Sequence, residues 1–234
     1  MNEQSHTIFP LGDSALIIDF GNVIDEATNN KVLALADAIN KASIHGVIDV
    51  VPCYSSLAIH YDIISVLEHG RGKPSFTTIK EKLESLLLLS QEEFTNEFRN
   101  MRIPVCYAKK YGWDLDEIAA QTKLPVEEVI TIHTSGRYKV YMIGFLPAFA
   151  YMGEVDERIA MPRRSEPRLK IEAGCVGIAG KQTGVYPLTS PGGWQIIGRT
   201  PVKLFDKNKA EPALLKAGDI VEFFSISEDE FKNY

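Results

Sequence analysis

The chain has 234 residues, enough for one large domain or two small ones. Its 45% apolar and 24% charged residues are those of an ordinary globular protein. The net charge of −6 argues against a general nucleic-acid binder, and no apolar run approaches the roughly 20 residues of a membrane span.

The N-terminus, Met-Asn-Glu-Gln-Ser-His, has neither a basic start nor an apolar signal core, so a cytoplasmic protein is expected. His6 to Phe20 contains a strand-like run, Ala15-Leu-Ile-Ile-Asp-Phe20. Asp25 can cap a helix that places Val32, Leu35, Ala36 and Ile39 on one face, and Gly46 ends that segment. Val47 to Tyr61 reads as one or two strands around Pro52 and Ser55-Ser56. A second helix carries Ile79, Leu83, Leu86 and Leu87 at helical spacing. This β-α-β-α order is that of a compact two-layer module.

Residues 90–100 are polar and aperiodic, and the linker is placed there. Met101 to Tyr107 begins a strand. Asp114 to Ser135 holds two short helices, with Asp114 and Glu117 in a capping-box pattern and Pro125 suited to the first turn of the second. The pair resembles a helix-turn-helix, but five carboxylates against Lys123 alone would repel DNA. Arg137 to Ile143, Cys175 to Ala179, Trp194 to Ile197, Val202 to Phe205 and Ile220 to Ser225 read as strands of a closed or nearly closed β-barrel.

The barrel half is unusual in composition. Residues 144–201 hold nine of the 17 glycines and six of the 12 prolines. Between Arg158 and Lys203 stand eight cations against Glu166 and Glu172, a balance of +6, so the rest of the chain sums to −12. Such an island suggests a site for a small anion or an acidic surface. Gly174 to Thr183 fails the phosphate-loop pattern, having Cys175 where glycine is needed and Gln182 where a hydroxyl is needed. Backbone amides of Gly180, Thr183 and Gly184, with Lys181, could still bind an anion; tight barrel turns explain the glycines equally well. Arg163 and Arg168, fixed by Pro162 and Pro167, suit a carboxylate or phosphate. Tyr186 and Trp194 are barrel packing or a pocket wall, and Gln195 can orient a polar ligand. Cys175 reads as a small strand residue, with no base beside it. The five histidines and three cysteines show no metal spacing.

Gly144-Phe-Leu-Pro-Ala-Phe-Ala-Tyr151, Pro162-Arg163, Pro167-Arg168, Gly174 to Pro187 and Ser190 to Pro201 resemble the KipI-like family, also called allophanate hydrolase subunit 1 or the 5-oxoprolinase B subunit. Pro10-Leu-Gly-Asp13, Leu204-Phe-Asp206 and Gly218-Asp219 extend the resemblance over nearly the whole chain. The family usually has glycine at Ala148 and serine at Cys175.

The resemblance implies an α+β protein: a small N-terminal α/β domain, residues 1–95, and a cyclophilin-like β-barrel, residues 96–234. It implies a non-autonomous part of an ATP-dependent enzyme that opens 5-oxoproline to glutamate. The partners would be two further components of that enzyme. One, the C component, is a homologous barrel protein like allophanate hydrolase subunit 2; the other is the A component. ATP, with Mg2+, would belong to the complex, with none held tightly by this chain alone. In that setting Arg163, Arg168, Lys181 and Arg199 would neutralise phosphate or carboxylate charge, and Gln182, Thr183, Tyr186 and Gln195 would orient the ligand. No general base is identified. The resemblance also implies an alternative, a binding module that inhibits a sensor histidine kinase. An allophanate-hydrolysing role has only the older family name behind it, since no amidase serine-lysine motif is present.

Overall fold

The computed structural model describes residues 6–70, 72–89 and 98–234. Of the expected linker, residues 90–97 lie outside the described residues. The chain divides into two compact units, 1–97 and 98–234.

In the first unit four antiparallel strands, β1 (Thr7–Pro10), β2 (Ala15–Asp19), β3 (Val47–Pro52) and β4 (Ser56–Tyr61), lie in the order β1-β2-β4-β3. Their period-two pattern sends Leu16, Ile18, Leu57, Ile59 and Val50 into the core. Helix α1 (Glu26–Ala42) adds Val32, Leu35, Ala36 and Ile39 to that core. Asp25 caps α1 as expected, accepting from the Thr28 N–H at 2.9 Å, a bond worth about 1 kcal/mol. The helix stops at Ser43, in the left-handed region at φ 46°, three residues before Gly46. Helix α3 (Ser75–Leu89) contributes Ile79 and Leu83. Two elements were not anticipated: β1, and the seven-residue helix α2 (Ile63–His69), too short to show a period.

The second unit is built on seven strands: β5 (Asn100–Val105), β6 (Tyr138–Ile143), β7 (Ala150–Gly153), β9 (Cys175–Ala179), β10 (Gln182–Val185), β12 (Gln195–Arg199) and β13 (Ile220–Ser225). Their order is β12-β9-β10-β7-β6-β13-β5. The two end strands meet at one bridge, where Cys106 and Arg199 exchange N–H to carbonyl bonds of 2.8 and 3.0 Å, so the sheet nearly closes into a barrel. Val105, Val140, Met152, Ile178, Val185 and Val221 fill the interior. Helices α4 (Leu115–Thr122) and α5 (Val126–Ser135) pack on this unit, and α6 (Glu228–Lys232) ends it. Strands β8 (Arg168–Ile171) and β11 (Ser190–Gly192) form a separate two-stranded ribbon. Val202 to Phe205 is not a strand; it leads into a turn held by Asp206, and only Phe205 bridges, to Ala213. Among the described residues no helix is long and apolar enough to cross a membrane.

Candidate functional site

The barrel has a second apolar cluster besides its interior core. Phe149, Ile171, Cys175, Ala179, Tyr186, Trp194 and Ile196 are buried together, with Tyr151 packed against them. The rings meet edge to face: Phe149 lies 5.3 Å from Tyr186, 5.4 Å from Trp194 and 4.9 Å from Tyr151. Each such pair contributes about 0.5–1.5 kcal/mol beyond its buried area. The floor is glycine. Gly177 and Gly184 are cross-strand partners, and a Cβ on Gly184 would stand 3.1 Å from the Trp194 ring and 3.2 Å from Phe149. Part of the glycine excess therefore lets aromatic rings lie on strand backbone. The β9–β10 hairpin is no phosphate cradle. Thr183 pairs with Ile178 on one side and Met152 on the other, so its backbone belongs to the sheet.

The loop from Gly144 to Phe149 borders this aromatic shelf. Gly144 N–H donates to the Phe149 carbonyl and Phe149 N–H to the Leu146 carbonyl, both at 3.0 Å. Phe145 and Ala148 hold φ of 66° and 65°, a left-handed conformation that costs a non-glycine residue roughly 1–2 kcal/mol. The Phe145 side chain is 64% exposed, and its ring lies 5.6 Å from that of Phe149. Backbone strain of this kind concentrates at ligand clamps.

Arg163 is a cation near the shelf. Its charge bears on the hydroxyls of Tyr151 and Tyr186. Burial nevertheless dominates both phenols, raising Tyr151 and pushing Tyr186 up to about 12, so each stays a hydrogen-bond donor at neutral pH. The backbone on both sides of Arg163 is pinned. The Gln195 amide donates to the Pro162 carbonyl at 3.1 Å, and Arg164 N–H donates to the Gly193 carbonyl at 2.7 Å. Arg163 itself is exposed and makes no ion pair among the described residues.

The other predicted residues are placed differently. Arg168 is bidentate on Asp114, at 2.6 and 2.9 Å, and Arg164 reaches the same carboxylate at 3.0 Å. Trp113 lies 5.3 Å from the Arg168 guanidinium carbon. Asp114 makes no side-chain cap for α4. It is buried and also accepts from Ile196 N–H at 2.5 Å, because two guanidinium groups and a strand amide outcompete one helix-end bond. Arg199 donates to the Ala173 carbonyl and to Glu172, and Lys181 pairs with Glu157. Arg199 faces Cys175 at one end of β9, whereas Lys181 follows Ala179 at the other, about 13 Å along the strand.

Gln182 is half-buried at the start of β10. Thr183 is fully buried, with its hydroxyl 3.1 Å from His133 Nε2 and donating to the Gly177 carbonyl at 3.0 Å. Since that donation uses its only proton, His133 must carry hydrogen on Nε2, and Tyr107 then donates to Nδ1 at 2.8 Å. Gln195 is 4% exposed, and its Oε1 has no hydrogen-bond partner among the described residues.

The structure thus sets Arg163, Tyr186 and the Gln195–Pro162 link at the shelf, with Arg168 and Arg199 also within electrostatic reach of it at Cys175 but already ion-paired, and leaves Lys181 and Thr183 engaged elsewhere. The +6 island is also not a patch. Asp114, Asp156, Glu157 and Asp206 lie outside residues 158–203 and pair with the cations within them. Arg163 and Lys170 are the cations of that segment with no ion pair among the described residues. Sequence reasoning missed Asp114 as an arginine anchor, His133 as a core group, and Phe149 and Tyr151 as shelf residues. The last two stand inside the Gly144–Tyr151 motif, the one signal that pointed to them.

Comparison with known proteins adds a family context. Residues 6–215 match the model described as carboxyltransferase domain, subdomain C and D. The chain is 46% identical to the 5-oxoprolinase B subunit of Bacillus subtilis (strain 168), over 98% of this chain and 96% of that one. It is 43% identical to the protein of the same name from Escherichia coli O157:H7, over 69% and 79% of the two chains. The crystal structure of TTHA0988 superposes with a TM-score of 0.79 at 35% identity over 91% of this chain. The chain spans only 40% of that protein's length.

Proposed function

The chain belongs to the family of carboxyltransferase subdomains C and D, and from that membership we propose that it is the B subunit of an ATP-dependent 5-oxoprolinase. The end-to-end 46% identity to a curated protein of that name carries this reading. In it the chain works with a homologous barrel protein, the C component, and with an A component, in the cytoplasm, on 5-oxoproline. TTHA0988, of which this chain matches 40%, fits a unit that operates beside further polypeptide.

The shelf supplies the chemistry for holding such a substrate. Arg163 offers two parallel donors to a carboxylate, with no internal anion to compete among the described residues. Partly buried Tyr151 and exposed Phe145 offer apolar surface for a small ring, and the buried rings of Phe149, Tyr186 and Trp194 back that surface. Tyr186, kept protonated by burial, cannot act as a base near neutral pH; the proton-accepting group lies outside this shelf.

Lys181, the cation of the Gly180 hairpin, is paired with Glu157, which favours ATP, with Mg2+, at the level of the complex over this hairpin alone. The test is reconstitution of the chain with the proteins encoded beside it, followed by ATP hydrolysis with and without 5-oxoproline. Hydrolysis that requires 5-oxoproline and all three chains is expected. Hydrolysis indifferent to 5-oxoproline, or to the presence of this chain, defeats the proposal.

A further inference from the structure

The first unit carries an exposed pair of histidines that packing does not require. The rings of His45 and His69 lie 3.9 Å apart, tilted by 49°, on the surface. They come from different elements. His69 ends α2, whereas His45 sits in the turn closed by the Val47 N–H to Ile44 carbonyl bond of 3.0 Å. Gly46 makes the approach possible, since a Cβ there would overlap Val66 Cγ2 of α2.

One residue anchors both rings. His69 Nδ1 lies 3.0 Å from the Ser65 carbonyl, which can only accept, so Nδ1 carries the hydrogen and Nε2 keeps its lone pair. His45 Nε2 lies 2.9 Å from Ser65 Oγ, a hydroxyl that both donates and accepts; in the tautomer where it accepts from Nε2, Nδ1 keeps its lone pair. Metal-binding histidines are held in this way: one ring nitrogen fixed by a carbonyl or other acceptor, the other presented to the metal. Ser65 is itself fixed, its N–H donating to Asp62 at 2.6 Å.

We propose that His45 and His69 form a surface site for one borderline divalent transition-metal ion of the zinc, nickel or copper class, with water completing the coordination. Two neutral imidazoles select this class over Mg2+ or Ca2+, which take oxygen ligands. With metal–nitrogen bonds of about 2.0–2.1 Å in tetrahedral geometry, the ring centres would stand about 5 Å apart. The observed 3.9 Å requires an opening of about 1 Å, within reach of side-chain rotations at two exposed residues. Among the described residues no third histidine, cysteine or carboxylate joins the pair, so the site is open and its ion exchangeable. The proposal stands apart from the enzymatic reading and survives its failure.

The test is titration of the full chain with zinc chloride by calorimetry, comparing wild type with His45→Gln, His69→Gln and Ser65→Ala. The expected result is one ion at the tightest site, with affinity reduced at least tenfold by either histidine change. Ser65→Ala should weaken it roughly tenfold, as removal of an orienting partner does. Wild-type affinity in both histidine variants would overturn the proposal, as would no zinc binding by the wild type. A second readout needs no variant: substoichiometric Ni2+ should broaden the imidazole proton resonances of His45 and His69 before those of His6 and His60. Uniform broadening of all exposed histidines would equally sink it.

Discussion

The carboxylate of Asp114 accepts two hydrogen bonds from the guanidinium of Arg168, 54 positions later in the chain, at 2.6 and 2.9 Å. With Arg164 on Oδ1 and Ile196 N–H on Oδ2, this contact ties the 162–168 segment to α4 and β12. Asp114→Ala would leave two guanidinium groups and a buried amide without their anion. Breaking a buried ion pair costs about 3–5 kcal/mol. The arginines keep roughly a quarter of their side-chain surface in water, so we expect about 3 kcal/mol, read from chemical denaturation. A loss under about 1 kcal/mol would show that the cluster is not a structural anchor.

Arg163 and Lys181 separate a binding role from a surface one. In the reconstituted complex, Arg163→Gln should raise the KM for 5-oxoproline at least tenfold with the melting temperature unchanged. Lys181→Gln removes only a solvent-exposed pair with Glu157 and should leave KM within about twofold. The reverse ranking would return the site to the β9–β10 hairpin.

His133 makes a pH prediction with a definite sign. Complete burial lowers its pKa from 6.5 to about 3, so the folded chain holds it neutral. Above pH 6.5 it is neutral in both states and adds no pH dependence. As pH falls from 6.5 toward 3, the unfolded state takes up a proton that the folded state refuses. Stability should then fall by up to about 1.4 kcal/mol per pH unit from this residue. Urea denaturation of wild type and His133→Leu at pH 7 and pH 5 checks it: the variant is less stable at pH 7 and shows the shallower loss. Parallel losses in the two proteins would contradict the assignment.

Gly184 should resist even a methyl group. A Cβ there meets the Ala150 carbonyl at 3.0 Å and the Trp194 ring at 3.1 Å. Gly184→Ala is expected to destabilise by about 1–3 kcal/mol through overpacking and to shift the emission of Trp194. An unchanged spectrum and stability would mean that the shelf is looser than its ring contacts indicate.

Much of the fold was legible because its signals are local. Asp25 with the Val32, Leu35, Ala36, Ile39 stripe gives α1, and the apolar runs at 175–179 and 220–225 match β9 and β13 to the residue. The site was less legible because its determinants are distant in the chain. A charge count along 158–203 cannot see Asp114, Asp156, Glu157 or Asp206, which lie beyond its ends. The capping pattern of Asp114 and Glu117 is local and correct as a pattern, yet the carboxylate finds stronger partners elsewhere. Lys181, Gln182 and Thr183 looked like one unit, but successive strand residues face opposite ways, and Thr183 turns inward to His133. Ala148 was visible as a departure from the family's usual glycine; its φ of 65° supplies the reason for that preference.

The reciprocal bonds between Cys106 and Arg199 have a consequence for assembly. Those bonds cover the point where the two end strands would otherwise present facing edges, and so reduce the unpaired backbone open to strand-by-strand growth. Phe145, 64% exposed, gives this unit an apolar side chain for a contact that does not depend on a free strand edge.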